Sequence, residues 1–164
     1  MVVEAGIVVV VGRSPDLDRA LDALWDLDIR IRVIPTVTDA GYTLLGCERP
    51  RIKAVLVSLV EDPEGALELV RSLRNGSGLA SVPIVVWARE GSDRILASAC
   101  AAGADSGVLL EGGPDDPACL ARTIQYWAVA DRAEYVWRAF SGIRPAVAQR
   151  AARSARPEAV PANA

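Results

Sequence analysis

The sequence predicts an α/β fold in which five parallel strands, in the order 2-1-3-4-5, lie between two layers of helices in a flavodoxin-like (βα)5 three-layer sandwich. Three observations lead there. Short β-branched runs alternate with helical patterns in five units of roughly 20–30 residues each. Most of the strand runs are apolar throughout rather than alternating, the pattern of strands buried on both faces. Glycine, proline or a capping residue punctuates most units, and parallel βα units of this kind are joined by right-handed crossovers.

Ile7 to Val11 (IVVVV), bounded by Gly6 and Gly12, is the first strand. Ser14-Pro15-Asp16 supplies an N-cap, a first-turn proline and an acid at the positive helix end. Leu17, Leu21, Leu24 and Trp25 then recur at helical spacing and predict a helix to about Asp28. Ile29 to Ile34 alternates isoleucine and arginine, as a half-exposed or edge strand does. Thr38-Asp39 is expected to open a second helix running through Leu45. Ala54 to Val60 is the third strand, and Glu64 to Arg74 an amphipathic helix closed by Asn75-Gly76. Val82 to Trp87 is the fourth strand, Ser92 to Ala102 the fourth helix, Gly107 to Leu110 the fifth strand, and a last helix starts near Pro117.

Composition narrows the function classes. The 164 residues suit one domain, and 51% hydrophobic content argues against disorder. Ile7 to Val11, an uninterrupted apolar run, is far too short to span a bilayer. No signal peptide is read at the N-terminus, so a cytoplasmic protein without membrane attachment is expected. There is no histidine, which removes Ser-His-Asp and Cys-His mechanisms and the commonest metal ligand. Cys47, Cys100 and Cys119 are dispersed, form no CxxC pair and are expected as small core residues. No nucleophile, base and orienting group come together, so no enzyme, no catalytic residue, no metal site and no cofactor are expected. The net charge is −3, but residues beyond Phe140 carry +3 (Arg144, Arg150, Arg153, Arg156 against Glu158), leaving −6 on residues 1–140. An acidic body argues against nucleic-acid binding by the folded part.

Three stretches carry a family likeness: GALELVRSLR at 65–74, SVPIVVWA at 81–88 and AAGADSGVLL at 101–110. Together they make residues 6–128 resemble a bacterial response-regulator receiver (CheY-like) domain. Such domains accept a phosphoryl group from a histidine kinase on an aspartate, with Mg²⁺ held by neighbouring carboxylates. The resemblance implies positions for that chemistry, and each departs from the pattern. The acidic pair after the first strand falls on Gly12 and Arg13. The acceptor falls on Ser58, with the following loop one residue shorter. The hydroxyl residue ending the fourth strand falls on Ala88, or on Trp87 if the strand slips. The lysine ending the fifth strand falls on Leu110, followed by Glu111, and the aromatic switch position falls on Gly107. Arg13 also sets a cation where Mg²⁺ would sit. Glu61 and Asp62 are the acids near enough in sequence to substitute, or they form a solvated loop. The reading is a degenerate pseudo-receiver whose retained value lies in its surfaces. The alternative is a small-molecule or nucleotide-binding module using a vacant pocket at the strand ends. For that, GRSPD is a poor flavin-phosphate loop and the missing histidine removes a cobalamin ligand, although Arg13 with the first helix N-terminus is suited to an anion.

The last helix stands out. No proline or glycine occurs from Ala118 to Ser141, which allows about 24 residues, roughly 36 Å of helix. Leu120, Ala121, Ile124, Trp127 and Ala128 form the inward stripe. Tyr126, Val129, Ala133, Val136 and Phe140 form a second, heptad-like seam, flanked by Tyr135 and Trp137. The expectation is therefore a receiver-like domain over 1–128, a helical extension over 129–141 and a disordered Arg/Ala/Pro tail over 142–164. The extension either projects, pairing in a homodimer or with a partner protein together with the adjoining domain face, or it folds back on its own domain. The arginines of the tail either meet an acidic partner or remain solvated.

Overall fold

A computed structural model describes residues 6–45, 52–76 and 79–130. The elements in chain order are β1 (Ile7–Val11), α1 (Pro15–Leu24), β2 (Arg30–Ile34), α2 (Val37–Leu45), β3 (Ile52–Ser58), α3 (Pro63–Gly76), β4 (Ile84–Arg89), α4 (Asp93–Ala102), β5 (Ser106–Leu110) and α5 (Asp116–Val129). All strand pairings are parallel and the sheet order is β2-β1-β3-β4-β5, as the sequence predicts.

Alternation along the strands divides the core in two. Val8, Val10, Leu56, Val85, Trp87, Val108 and Leu110 face one layer, with Leu17 and Leu24 of α1 and Leu120, Ile124 and Trp127 of α5. Val9, Val11, Val55, Val57, Val86 and Ala88 face the other, with Leu44, Leu69, Val70, Leu73 and Ala99 from α2, α3 and α4. This two-sided burial is why the strands read as continuous apolar runs.

Caps set several boundaries. The Ser14 hydroxyl accepts from the Leu17 N–H at 3.1 Å, opening α1 as expected. α2 opens at Val37, one residue before Thr38, with Thr36 as its cap. Thr36 accepts from the Asp39 N–H at 3.1 Å and donates its hydroxyl to the Asp39 carboxylate at 2.7 Å, a reciprocal cap. α1 ends at Leu24 instead of Asp28. No base lies in its last turn, and Asp22, Asp26 and Asp28 crowd the end where the helix dipole is negative.

The expected unbroken helix from Ala118 to Ser141 is corrected. α5 stops at Val129, and Ala130 is extended (φ −69°, ψ 148°) while its N–H still closes the last turn on the Tyr126 carbonyl at 3.0 Å. Trp127 is the last fully buried residue of the inward stripe among the described residues; Ala128 and Ala130 pack only partly against the α1–α5 layer, and leaving the helix keeps Ala130 there. Residues 131–141 and the 142–164 tail lie outside the described residues.

At the N-terminal end of β4 and β5, Arg74 ties together the three stretches that carry the family likeness. Its Nε donates to the Gly103 carbonyl at 2.9 Å, and Nη1 donates to the carbonyls of Ala80 at 2.6 Å and Val82 at 3.1 Å. Nη2 meets the Asp105 carboxylate at 2.6 Å, with side chains only 13% and 6% exposed. Asp105 also accepts from the Ile84 N–H at 2.9 Å, joining α3, the β4 entrance and the β5 entrance. Gly103 (φ +122°) permits this approach, because a Cβ there would stand 2.8 Å from the Arg74 Cγ.

The cysteines divide. Cys119 is half-buried against the α1–α5 layer, whereas Cys100 is exposed on α4 and corrects the expectation of a core residue. Partial burial of its thiol, and then the charge of Asp105, push the Cys100 pKa up, which disfavours the reactive thiolate. Cys47 lies outside the described residues. Among the described residues, no helix is long and apolar enough to cross a membrane.

Candidate functional site

In a parallel sheet of this order, sites form beyond the carboxyl ends of the strands, where the connections leaving β1 and β3 turn to opposite faces. Gly12, Ser58, Trp87 and Leu110 lie at those ends on the α1–α5 side. Ser58 is paired in register with Trp87, not with Ala88. Ala88, 1% exposed, faces the opposite layer, so Trp87 is the fourth-strand residue that borders Ser58.

Trp87 is 2% exposed and Ser58 6%. Gly12 has φ +128°, and a Cβ built on it would lie 2.7 Å from the Ser58 Cβ and 3.5 Å from Cζ2 of Trp87. The indole therefore reaches from β4 past β3 to the end of β1, in front of Gly12 and the small side chain of Ser58. Large and small residues compensate one another here, as close packing requires. The vacancy that the sequence suggested at the strand ends is filled by this side chain. Leu110, 3% exposed, closes the same layer beside it. The Ser58 hydroxyl is turned to its own chain and accepts from the Val60 N–H at 3.2 Å.

Arg13 is exposed, pointing its charge into solvent at the N-terminus of α1. Gly107 is half-buried in β5, where a Cβ would already approach Cδ2 of Leu96 to 3.0 Å, so an aromatic ring has no room. Asp62 is committed elsewhere. Its carboxylate accepts from the Gly65 N–H at 3.0 Å, and its carbonyl accepts from the Ala66 N–H at 2.9 Å, capping α3. Glu61 is exposed beside it. The donor set does not fit a divalent cation, which needs several oxygen ligands: Gly12 has no side chain, Arg13 is cationic and the Ser58 hydroxyl is engaged. Among the described residues, no group of three or more cysteine, aspartate or glutamate side chains is placed to hold a metal ion.

One residue at this end escaped the sequence reading. Asp116, the first residue of α5, is 5% exposed. Its two carboxylate oxygens accept from the N–H groups of Glu111 at 3.1 Å and Gly112 at 2.9 Å. It fixes the β5–α5 loop over the strand ends by charge-assisted hydrogen bonds. The two adjacent glycines, Gly112-Gly113, were the available signal for a tight loop needing such an anchor.

Of the proposed interaction seam, only two members lie within the described residues. Tyr126 is half-buried against the α1–α5 layer, edge-on to Trp127 with ring centroids 5.1 Å apart. Val129 is 80% exposed. Ala133, Val136, Trp137 and Phe140 lie outside the described residues.

The fold is that of response-regulator receiver domains. Similar solved structures include the chemotaxis response regulator CheY4 of Vibrio cholerae, at 16% identity and TM-score 0.56, covering 73% of this chain and 98% of that one. A response regulator from Hahella chejuensis matches at 18% identity and TM-score 0.64, covering 76% and 96%. The Mn²⁺-bound form of the response regulator Rcp1 matches at 15% identity and TM-score 0.63, again covering 76% and 96%. No family model matches the sequence, and no curated protein does. At these identities the likeness concerns the fold, and what happens at the strand ends has to be read from this chain's own residues.

Proposed function

We propose that this chain is a phosphorylation-independent receiver-fold protein, non-catalytic, that acts in bacterial signalling or spatial regulation through protein–protein contacts. The observation that carries the reading is the packing of Trp87 against Gly12 and Ser58. A buried indole occupies the space in which a phosphoryl acceptor and its metal would work, and the substitutions around it are mutually adjusted. The filled strand ends also weigh against the small-molecule reading, which relied on a cavity there. The exposed Val129 at the end of α5 supports extending the contact surface into residues 129–141, where the aromatic seam favours self-association over a solvated segment.

Two measurements test this. Beryllofluoride with Mg²⁺, followed by ¹H–¹⁵N correlation spectra, is expected to leave the strand-end residues unshifted; saturable shifts at Gly12, Ser58 and Trp87 would defeat the phosphorylation-independent reading. Light scattering is expected to give about twice the 17.4 kDa chain mass for the full chain and a monomer for a chain ended after Ala130. Monomers in both cases would remove the seam from the proposal.

A further inference from the structure

Trp25, at the C-terminal end of α1, is 87% exposed, with Leu27 at 40% in the turn that follows. These residues share one end of the molecule with the exposed Val129. α1 and α5 pack side by side, and both return antiparallel to a parallel sheet, so both helices finish at the same end of one layer. An exposed tryptophan carries a large apolar area, and here carboxylates are its neighbours along the end of α1 and the turn after it. Asp18, Asp22 and Trp25 follow at i, i+4 and i+7 on the outward side of the helix, and Asp26 and Asp28 lie exposed in the turn.

None of these four carboxylates is in an ion pair or a side-chain hydrogen bond among the described residues. The exposed Arg19 of α1 and Arg122 of α5 are not paired with them. Arg30 and Arg32 of β2 alternate with Ile31, which packs toward α1 and α5, and so point to the other side of the sheet. Asp22, Asp26 and Asp28 also oppose the dipole at the end of α1, a local cost that an added cation would relieve.

We propose that this face is covered by the arginine-bearing segment 144–156 of the same chain. That segment carries Arg144, Arg150, Arg153 and Arg156 and no acid, complementary to the carboxylates around Trp25. Guanidinium groups suit both components, since they stack on an indole and pair with carboxylates. The chain leaves the described residues at Ala130, at the end of the layer where Trp25 stands. The 14 residues from there to Arg144 span up to about 46 Å when extended, so reach does not limit the contact. The tether also raises the effective concentration to the order of millimolar, enough for a modest surface to be occupied. This contact is independent of the self-association seam.

The test compares ¹H–¹⁵N spectra of the full chain with those of a full chain in which all four arginines are replaced (R144Q, R150Q, R153Q, R156Q). W25F identifies the Trp25 indole signal. The Trp25 indole N–H and the amides of residues 22–28 are expected to shift between the two proteins. The difference is expected to collapse in 1 M NaCl, where the screening length is about 3 Å, and in the full chain carrying D22N, D26N and D28N. Unchanged signals in the four-arginine variant overturn the proposal. So do shifts that vary with protein concentration, or a loss of solution mass in that variant, because either gives the face to a second copy. The self-association reading is tested separately by the mass of the chain ended after Ala130.

Discussion

Replacing Arg74 with alanine is expected to cost about 3 kcal/mol of stability, the lower part of the range for removing one partner of a buried pair. The four bonds of the guanidinium reach three carbonyls and one carboxylate, and all converge on the β4 and β5 entrances. Asp105 keeps its bond from the Ile84 N–H, so its charge is not stripped of every partner. For a chain of this size that cost corresponds to a melting temperature lower by roughly 10 °C. Lysine at position 74 is expected to fall between, because it can neutralise Asp105 without reaching all three carbonyls in one plane. Urea unfolding of Arg74→Ala, Arg74→Lys, Asp105→Asn and the Arg74→Ala/Asp105→Asn double variant would separate the pair from the carbonyl bonds. A loss under 1 kcal/mol in Arg74→Ala would reduce the clamp to an ordinary surface contact.

Restoring an acid at the end of β1 is expected to do more harm. Gly12→Asp introduces a side chain where φ is +128° and where a Cβ stands 2.7 Å from that of Ser58. Left-handed strain alone costs on the order of 1–3 kcal/mol. Overpacking against Ser58 and Trp87 adds a comparable amount, and an unpaired carboxylate in a buried position adds its desolvation. A total of about 4 kcal/mol or more is expected, enough to unfold much of the protein if its stability is ordinary. Gly12→Ala isolates the strain and the contact, at about 2–4 kcal/mol. Gly12→Ala/Ser58→Gly removes the Cβ clash while keeping the strain, so the two substitutions should be less than additive. Equilibrium denaturation gives all of these values. A Gly12→Asp protein as stable as its parent would mean that the strand ends are looser than the Trp87 packing implies.

The two predictions concern opposite ends of the same sheet, and they differ in how far the sequence revealed them. The Arg74 clamp joins three stretches whose resemblance to receivers was legible residue by residue, although nothing local says that Arg74 and Asp105 meet. They are 31 positions apart and become neighbours only through the α3–β4–α4–β5 path. At the strand ends, sequence comparison marked Gly12, Ser58, Ala88, Gly107 and Leu110 as departures without relating them. The missing connection was Trp87, which reads locally as one more apolar strand residue. Only the register that sets it opposite Ser58 reveals what fills the expected vacancy. The last helix failed for a related reason. Absence of proline and glycine permits a helix to Ser141, but Trp127 is the last fully buried residue beneath it among the described residues, and α5 ends two residues later.

The sequence by itself determined the five βα units and the two-sided burial of most strands, because hydrophobic periodicity and caps act over a few residues; a parallel sheet follows, with the order 2-1-3-4-5 as its economical solution. By resemblance it also implied positions for a receiver's acids and lysine, and Gly12, Arg13, Ser58 and Leu110 stand there. The tertiary structure alone decided what stands in their place: an indole lying across the ends of three strands, a buried Asp116 holding the loop above it, and an exposed Trp25 among carboxylates at the other end. Side-chain volume and charge are compared across elements only when the chain has folded, so these relations are not present in any local pattern.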